Sequence, residues 1–426
     1  MKTGIIRGLL AACTSLAMAV QPSQAASIRL DPPKAPIPAT FFGMHIHYFA
    51  TTTPWPSIPF GSLRLWDAYV TWPRLEPQQG KRDFTALDKY LDAAQAHHVD
   101  VVLPLGLSPQ WVSSRPDEKS AFASGNAANP ARLDAWRDYV RTVATRYKGR
   151  IFAYEIWNEP NLKQFYSGSV GEMLELAGAA YPIIKQIDPA ALVCSPSATN
   201  RDGVEWLDQY LRQGGGNYAD VIGFHFYANP DPPEKVLPLI QQVRGLLLRR
   251  HLSGKPLWNT ETGWAIGNRQ SEVHAAPAAV GFNSVVLSED QAAAYLVRTY
   301  ILNWAENVQR LYWYSWDNKT MGLTDADGKT LKEPASAYAL VEQWLIGATM
   351  QSCGSSDQGI WTCQILRPNH GKAWIVWTQE GETDLRLPAD WHGRTIHDLG
   401  GGERELVSGA TVRVTGAPVL IESGQP

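Results

Sequence analysis

Short apolar runs alternate with amphipathic stretches along most of the chain. The runs are rich in β-branched and aromatic residues and have the length of buried strands. Eight of them lie at 41–49, 61–69, 100–107, 151–158, 191–197, 220–228, 255–264 and 310–318. Apolar residues recur at helical spacing between them, for example at 84–98, 131–148, 170–187 and 289–308. The pattern predicts strands that alternate with helices.

Strand and helix repeated eight times over roughly 300 residues are typical of an α/β fold, the (β/α)8 TIM barrel. A doubly wound parallel sheet is the main alternative, but it usually has a glycine-rich phosphate turn after its first strand. The stretch GMHIHYFATTTPWP has no such turn. We therefore expect a barrel over 39–347, with the long connections 109–130 and 265–288 as walls of a cleft.

The pattern changes after the helical stretch 334–347. Alternating apolar and polar residues, separated by Gly and Asp turns, predict a small C-terminal antiparallel β domain, sandwich-like, over 348–426. The segment SIRLDPP at 27–33 is expected to add a strand, so that 26–38 packs on this domain. The domain could bind sugar, but its short strands are better suited to packing against the barrel.

The N-terminus resembles a secretory signal. Lys2 and Arg7 precede an apolar stretch over 9–20, and Ser-Gln-Ala at 23–25 fits a cleavage site. Residues 10–13, LAAC, resemble a lipoprotein box, but the apolar stretch before Cys13 is too short for a full hydrophobic region. We expect 1–25 to be removed and the mature protein to be secreted or periplasmic. No later stretch is long and apolar enough to predict a membrane span.

Charge and cysteine content exclude several classes of protein. Without the signal segment the chain has 36 basic and 41 acidic residues, which argues against a nucleic-acid partner. Cys353 and Cys363 are ten residues apart, a spacing that suits a disulfide across a hairpin in an oxidising compartment. Cys194 follows an apolar run and is expected to be a buried thiol. No Cys or His pair has ligand spacing, so we expect no metal and no cofactor.

Two glutamates stand at predicted strand ends. Alternation along the fourth run puts Glu155, Trp157 and Glu159 on one face, with Glu159 at the rim of the barrel. Glu261 ends the seventh run in the same way. Either acid has a simpler explanation by itself, Glu159 as the start of a helix with proline at its first position and Glu261 as a solvated turn acid. Together they fit the two carboxylates of glycoside hydrolysis.

The motifs around these glutamates resemble those of a known group of enzymes. EIWNEPN (155–161) and WNTETGW (258–264) are similar to the acid/base and nucleophile motifs of the clan A glycoside hydrolases. Together with FGMHIH and LRLWD, they resemble most closely family 39 and its secreted bacterial relatives that cut exopolysaccharide. The resemblance covers about 40–347. It implies Glu159 as acid/base, Glu261 as nucleophile and retention of anomeric configuration.

Other polar residues near the strand ends are candidates for supporting roles. Arg64 is expected to pair with Glu155, which lies too deep in the barrel for an unpaired charge, and to favour the ionised form of Glu261. The pKa of Glu159 should be raised by aromatic surroundings and the nearby anion. The resemblance gives Asn158 a hydrogen bond to the sugar 2-hydroxyl, although an Asn that closes a turn is the simpler explanation.

Histidines and aromatic residues complete the candidate site. His225 and Tyr227 could orient Glu261, touch the sugar or serve only the structure. The chain has 17 tryptophans, and sugar faces stack on aromatic rings, although such rings are also good core material. We expect about half of Trp111, Trp157, Trp264 and Trp316 to touch substrate. The weaker candidates are His45, His47, Asp67, Trp72 and Trp316, and of these we count His47 and Trp316 as substrate-binding residues.

The sequence thus predicts a secreted retaining β-glycosidase that acts on a polysaccharide, with an exopolysaccharide cut from within the chain as the preferred substrate. An exo-acting β-xylosidase is one alternative, and a non-catalytic carbohydrate-binding barrel is another. The intact pair of glutamates argues against a silent barrel, because a lectin needs no opposed acids. We expect a monomer whose partner is a polysaccharide or oligosaccharide.

Overall fold

A computed structural model describes residues 27–267, 285–368, 371–407 and 409–423. The predicted signal segment and most of the connection 265–288 lie outside these residues. The first strand, β1 (Ile28–Leu30), belongs to the C-terminal sheet. The barrel strands are β2 (Phe42–Met44), β3 (Ser62–Arg64), β4 (Asp100–Pro104), β5 (Ala153–Glu155), β6 (Leu192–Cys194), β7 (Ala198–Thr199), β8 (Ile222–His225), β9 (Leu257–Thr262) and β12 (Arg310–Trp313).

The barrel strands are all parallel, and their sheet curls until its two edges meet. Its order is β6-β5-β4-β3-β2-β12-β9-β8-β7. β6 and β7 are two parts of one bent strand, because Cys194 at the end of β6 bridges Val221 just before β8, while β7 pairs with β8 itself. All eight predicted strands are present, and the predicted barrel fold is confirmed.

Helices cover the outside of the barrel, and their bounds follow the predicted pattern closely. They are α1 (Trp72–Leu75), α2 (Thr85–Ala96), α3 (Leu133–Arg146), α4 (Val170–Ile187), α5 (Asn200–Arg212), α6 (Leu237–Arg249), α7 (Glu289–Ala305) and α8 (Glu333–Leu345). α4 begins with a capping box in which Ser169 and Glu172 satisfy each other's backbone N–H groups. No helix of the described residues is apolar over the length that a bilayer requires.

The inside of the barrel is filled by a small layer of apolar side chains. It comprises the buried residues Val102, Ala153, Cys194, Val221, Trp258 and Tyr312. The much larger apolar cluster lies between the strands and the helices. Cys194 is buried, as predicted, and burial raises the pKa of its thiol. The filled interior leaves the carboxyl ends of the strands as the place for chemistry.

The C-terminal part forms a seven-stranded sheet of order β1-β13-β14-β15-β20-β17-β18. Its strands after β1 are β13 (Thr349–Ser355), β14 (Ile360–Arg367), β15 (Gly371–Thr378), β17 (Gly393–His397), β18 (Glu403–Glu405) and β20 (Val419–Ser423). A second pair, β16 (Thr383–Arg386) and β19 (Thr411–Val414), packs on one face. Two short strands, β10 (Ala265–Ile266) and β11 (Val286–Leu287), pair with each other at the barrel.

The predicted disulfide is present in this sheet. Cys353 on β13 and Cys363 on β14 are directly opposite each other in the antiparallel register and are covalently joined. Ile28–Leu30 pairs antiparallel with the same strand β13, on its other edge. The N-terminal segment and the C-terminal sheet are therefore one structural unit.

Candidate active site

Two different irregularities of the backbone bring Glu159 and Glu261 to the mouth of the barrel. β5 ends at Glu155, and the chain then bends so that the backbone N–H of Glu159 donates to the carbonyl oxygen of Ser197 at 2.9 Å. Glu159 itself has a φ of 46°, in the left-handed region that side chains seldom adopt. Strained backbone of this kind is concentrated at functional sites.

A β-bulge directs Glu261 into the barrel. Leu311 of β12 pairs with Asn259 of β9, and Trp313 pairs with Thr262. Between these two pairs, β9 therefore has one residue more than β12. The extra residue on β9 breaks the alternation of its side chains. Thr260 therefore bonds to Ser197 inside the barrel, and its neighbour Glu261 also faces inward.

Arg64 at the end of β3 joins the acidic residues of the site. Its Nε and Nη2 atoms donate to the two carboxylate oxygens of Glu155 at 2.6 and 2.8 Å. Nη1 donates to Glu261 Oε2 at 2.9 Å, and Nη2 also donates to Asn158 Oδ1 at 2.7 Å. Arg64 and Glu155 are fully buried, so the expected pairing of Glu155 is confirmed. The guanidinium fork fixes three side chains at once.

His225 on β8 lies next to both glutamates, and Tyr227 just after β8 contacts Glu261. The hydroxyl of Tyr227 donates to Glu261 Oε1 at 2.8 Å, a contact that suits the orienting alternative considered from the sequence. His225 Nδ1 lies 3.0 Å from Glu159 Oε1 and 3.8 Å from Glu261 Oε1. Burial lowers the pKa of His225 to about 4, so its ring is neutral near pH 7.

The carboxylates of Glu159 and Glu261 face each other at close range. One oxygen from each and a ring nitrogen of His225 all lie within 4.8 Å of one another. Both glutamates are buried, with exposed fractions of 6% and 7%. Two carboxylates and an imidazole at this spacing could also hold a divalent cation, because they are common ligand types.

Burial raises the pKa of both glutamates to about 7. The raised pKa of Glu159 was expected. The raised pKa of Glu261 was not expected, because Arg64 was predicted to favour its ionised form. Burial opposes the ionisation of both carboxyls. Their contacts nevertheless differ. Glu261 receives hydrogen bonds from the cation Arg64 and from Tyr227, while Glu159 lies next to the neutral ring of His225. The direct hydrogen bonds from Arg64 and Tyr227 thus stabilise the anion of Glu261.

Asn158 is held in one orientation. Its Oδ1 accepts from Arg64, and its side chain is buried. Its Nδ2 has no hydrogen-bond partner within the described part of the chain. A buried amide donor without a partner costs free energy unless a ligand accepts from it. The arrangement is suited to a sugar hydroxyl beside Glu261.

Trp157, one of the four tryptophans of which about half were expected to touch substrate, belongs to a packing cluster instead. Trp157 packs on Trp136 of α3, because the regular alternation of β5 stops at Glu155. The expected common face of Glu155 and Trp157 is therefore wrong. Trp111 donates its indole N–H to the carbonyl oxygen of Glu76, the residue that follows α1. It lines a surface pocket together with residues of α3, such as Asp134. A contact of Trp111 with substrate stays a prediction.

Trp264, another tryptophan considered for contact with substrate, is packed inside the protein instead. Its ring stacks on Trp313 and meets Tyr295 of α7, and only 1% of it is exposed. The preceding Gly263 approaches the backbone of Tyr314 so closely that a Cβ would lie 2.3 Å from its carbonyl oxygen. The chain thus turns at Gly263 and directs the indole toward the helices, away from the cleft. Trp316 is also buried, and a contact of its ring with substrate stays a prediction.

Tyr314 is a site residue that the sequence reasoning missed. Its hydroxyl donates to Asp67 Oδ2 at 2.6 Å, and its ring lies 4.8 Å from the ring of His47. Burial, then the charges of Asp67 and Glu261, raise the pKa of its hydroxyl. His47 Nε2 is buried and has no partner among the described residues. Tyr314 shares strand parity with the inward-facing Tyr312, and this signal was available in the sequence.

Comparison with known proteins identifies the class and then the family. A barrel joined to a C-terminal sheet is the fold of the similar solved structures described below. The family model described as glycosyl hydrolases family 39 matches residues 65–308, more than half of the chain. The protein therefore belongs to glycosyl hydrolases family 39, and the resemblance noted in the sequence is confirmed.

Among curated proteins, the chain is similar to a β-xylosidase from Geobacillus stearothermophilus. The two are 24% identical over 205 residues, which are 42% of this chain and 40% of the relative. It is also 23% identical over 244 residues to endo-1,4-β-xylanase C from Paenibacillus barcinonensis, covering 51% of this chain and 21% of that protein. The matches thus span less than half the length of these relatives.

Solved structures show the same fold at low sequence identity. A family 39 glycoside hydrolase from Bacteroides cellulosilyticus superposes with a TM-score of 0.69 at 18% identity, covering 91% of this chain and 81% of that one. A β-xylosidase of the same family from Caulobacter crescentus has a TM-score of 0.63 at 20% identity, with 94% and 100% covered. Both superpositions cover the barrel and the C-terminal sheet.

Proposed function

We propose that the protein is a retaining β-glycoside hydrolase in which Glu159 is the acid/base and Glu261 the nucleophile. The observation that carries the proposal is the distance of at most 4.8 Å between carboxylate oxygens of the two buried residues. Retaining enzymes have their carboxyl groups about 5–5.5 Å apart, and inverting enzymes about 6.5–9.5 Å. The short gap leaves no room for a water between Glu261 and the sugar while the leaving group is still bound.

In the first step, Glu261 attacks the anomeric carbon of the sugar. The bond to the leaving oxygen breaks as Glu159 transfers its proton to that oxygen, and a glycosyl ester of Glu261 forms. Arg64 and Tyr227 hold Glu261 as the anion before the attack. The amide of Asn158 can donate to the 2-hydroxyl as positive charge develops on the ring.

In the second step, water opens the glycosyl ester. Glu159, now ionised, accepts a proton from the water as the oxygen attacks the anomeric carbon, and Glu261 leaves as a carboxylate. His225, neutral and next to both carboxylates, keeps Glu159 in position through both steps. Two inversions restore the original anomeric configuration.

Azide rescue tests the acid/base role. In Glu159→Ala, we expect kcat to fall at least about 100-fold on substrates with poor leaving groups. An activated aryl glycoside needs no protonation, so azide should restore turnover there and release a β-glycosyl azide. Glu175→Ala, an exposed acid on α4, is the matched control and should behave like the wild type. A lack of rescue on the activated substrate would remove the role.

We further propose that the substrate is a polysaccharide, preferably a bacterial exopolysaccharide cut within the chain. Support comes from exposed aromatic rings on the loops after β3 and β4. Tyr69 is 43% exposed and Phe122 46% exposed, and both are on the side of the barrel where the strands end. Rings of this kind can bind sugars beyond the reacting one. Secretion, proposed from the N-terminal sequence, would bring the enzyme to such a polymer.

An exo-acting β-xylosidase is the second candidate, and two of the similar proteins favour it. The names of the Geobacillus and Caulobacter proteins state β-xylosidase activity. Product analysis separates the candidates. Internal cleavage of a purified exopolysaccharide should give a ladder of oligosaccharides from the earliest times. Steady release of xylose from xylo-oligosaccharides, with no ladder from any polymer, would establish the exo-acting alternative.

A further inference from the structure

The C-terminal sheet has two faces with different surroundings. On β14, Trp361, Cys363 and Ile365 belong to the large apolar cluster shared with the barrel. The alternate residue Ile360 belongs to a separate cluster with Trp374 and Val376 of β15, under the pair β16 and β19. The sheet thus uses its inner face to dock on the barrel, and its outer face is free for another role.

The outer face is only partly covered. One row of opposed residues runs across four strands as Arg29, Gly354, Thr362 and Val376. Val376 is buried under the covering strands, whereas Thr362 is half-buried and Arg29 is exposed. The neighbouring row shows the same change in exposure: Trp374 on β15 is buried, and Ser352 on β13 is exposed. The face therefore changes from apolar and covered to polar and open at β14.

An indole stands at this boundary. Trp391 stacks on Trp374 with ring centroids 4.7 Å apart and the planes 3° from parallel. Trp374 is 4% exposed, while Trp391 remains half-exposed. The buried partner fixes the ring of Trp391, so that its orientation costs no further entropy when a ligand arrives.

Trp391 and the open polar rows line one groove of about 510 Å³. Leu385 and Pro388 continue the wall beside the indole, and Ser352, Thr362 and Gln358 contribute hydroxyl and amide groups. Among the lining residues that the structure describes, Arg29 is the charged one. A rigid aromatic wall next to neutral donors and acceptors matches the apolar face and hydroxyl edge of a pyranose ring.

We propose that this groove, called the Trp391 groove, binds a segment of a glycan chain. It lies on the face of the sheet opposite to the barrel, and none of the residues at the active site line it. A polymer held there would stay attached to the protein while another part of it enters the cleft. The binding chemistry is independent of the proposed hydrolysis, so either proposal can fail without the other.

Affinity electrophoresis tests the groove with the full-length protein. Native gels would contain soluble xylan, barley β-glucan or alginate, which represent neutral and anionic glycans. We expect at least one polymer to retard the wild type. Trp391→Ala should weaken that retardation at least about tenfold because the ring is lost. Ser352→Trp should do the same by filling the groove while the core stays intact.

Two controls distinguish binding from folding. Trp391→Phe keeps an aromatic wall and should retain most of the retardation, and Glu403→Trp on β18 adds an indole at the opposite edge of the sheet and should change nothing. All four variants should hydrolyse a small aryl glycoside at rates within about twofold of the wild type. The proposal is overturned if no polymer retards the wild type, or if Ser352→Trp binds as the wild type does.

Discussion

The Nη1 atom of Arg64 donates to Oε2 of Glu261 across 2.9 Å, and both side chains are buried. The same guanidinium is held from the other side by the carboxylate of Glu155. The proposed nucleophile thus has a cation at a fixed position, in surroundings where charge interactions are strong. This contact favours the ionised form of Glu261 against the effect of burial, which raises its pKa to about 7.

Arg64→Lys tests this contact. A single ammonium cannot bond to Glu155, Asn158 and Glu261 in the planar geometry of the guanidinium fork. We expect kcat/KM to fall about 100-fold, equivalent to roughly 2.7 kcal/mol. The rise of kcat/KM with pH should also move to higher pH, because the anion of Glu261 is less stable. Full removal in Arg64→Ala should cost about 3–5 kcal/mol of folding free energy.

The pH profile is the decisive measurement for Arg64→Lys. A folded variant with a wild-type rise in kcat/KM would show that Arg64 only supports the barrel. Thermal unfolding measured on the same samples separates loss of structure from loss of catalysis.

Tyr227→Phe removes the hydroxyl that donates to Glu261 Oε1. A lost hydrogen bond to a charged group is worth about 1.5–3 kcal/mol, so kcat/KM should fall roughly 10- to 100-fold. Tyr139→Phe is the matched control, because its buried hydroxyl has no partner in the described part of the chain. We expect its kcat/KM to be unchanged. Equal losses in the two variants, measured with one aryl glycoside, would contradict an orienting role for Tyr227.

Burial of Glu159 makes stability depend on pH. Its pKa is raised to about 7 from an ordinary value of 4.5. Between these values the folded protein binds more protons than the unfolded chain, so the contribution of this carboxyl to stability falls as pH rises. Glu159→Gln has no titrating group there. We expect it to be about 1–3 kcal/mol more stable than the wild type at pH 8.

Denaturant unfolding at several pH values checks this expectation. The difference between Glu159→Gln and the wild type should shrink toward zero near pH 4.5. Glu175→Gln on the exposed face of α4 should follow the wild type throughout. A constant difference at all pH values would mean that burial does not raise the pKa of Glu159.

Trp264→Ala should act on stability, because the ring is packed between Trp313 and Tyr295. Removing a buried indole should cost about 3–5 kcal/mol of folding free energy. Trp264→Phe keeps most of the contact, and we expect its KM to stay within about twofold of the wild type. Steady-state kinetics on an oligosaccharide checks this. A large rise in KM for a well-folded Trp264→Phe would restore Trp264 as a substrate residue.

Strand periodicity was enough to predict the barrel and the positions of both glutamates. The partnership of Arg64 with Glu155 also followed from the sequence, because an acid deep in a barrel needs a buried cation. These features depend on local pattern and on the common geometry of parallel strands. They did not require knowledge of how loops fold.

Backbone irregularity explains what the sequence did not reveal. The bulge near Glu261 and the end of β5 at Glu155 both break the alternation on which the side-chain directions were predicted. Trp157 and Trp264 follow such breaks, and both turn toward the helices. Tyr314 lies one residue beyond the end of β12 and contacts Asp67 on another strand's loop, a pairing that a single sequence does not show. Bulges arise from contacts between strands, which a single sequence does not show.

Covalent trapping tests the facing pair of glutamates most directly. A 2-deoxy-2-fluoro glycoside with a good leaving group should form a glycosyl ester and release it slowly, because fluorine destabilises the charged transition state of each step. We expect mass spectrometry to find one equivalent of sugar on the peptide that contains Glu261. Attachment to any other carboxylate, or turnover with inverted configuration and no trapped ester, would contradict double displacement by Glu159 and Glu261.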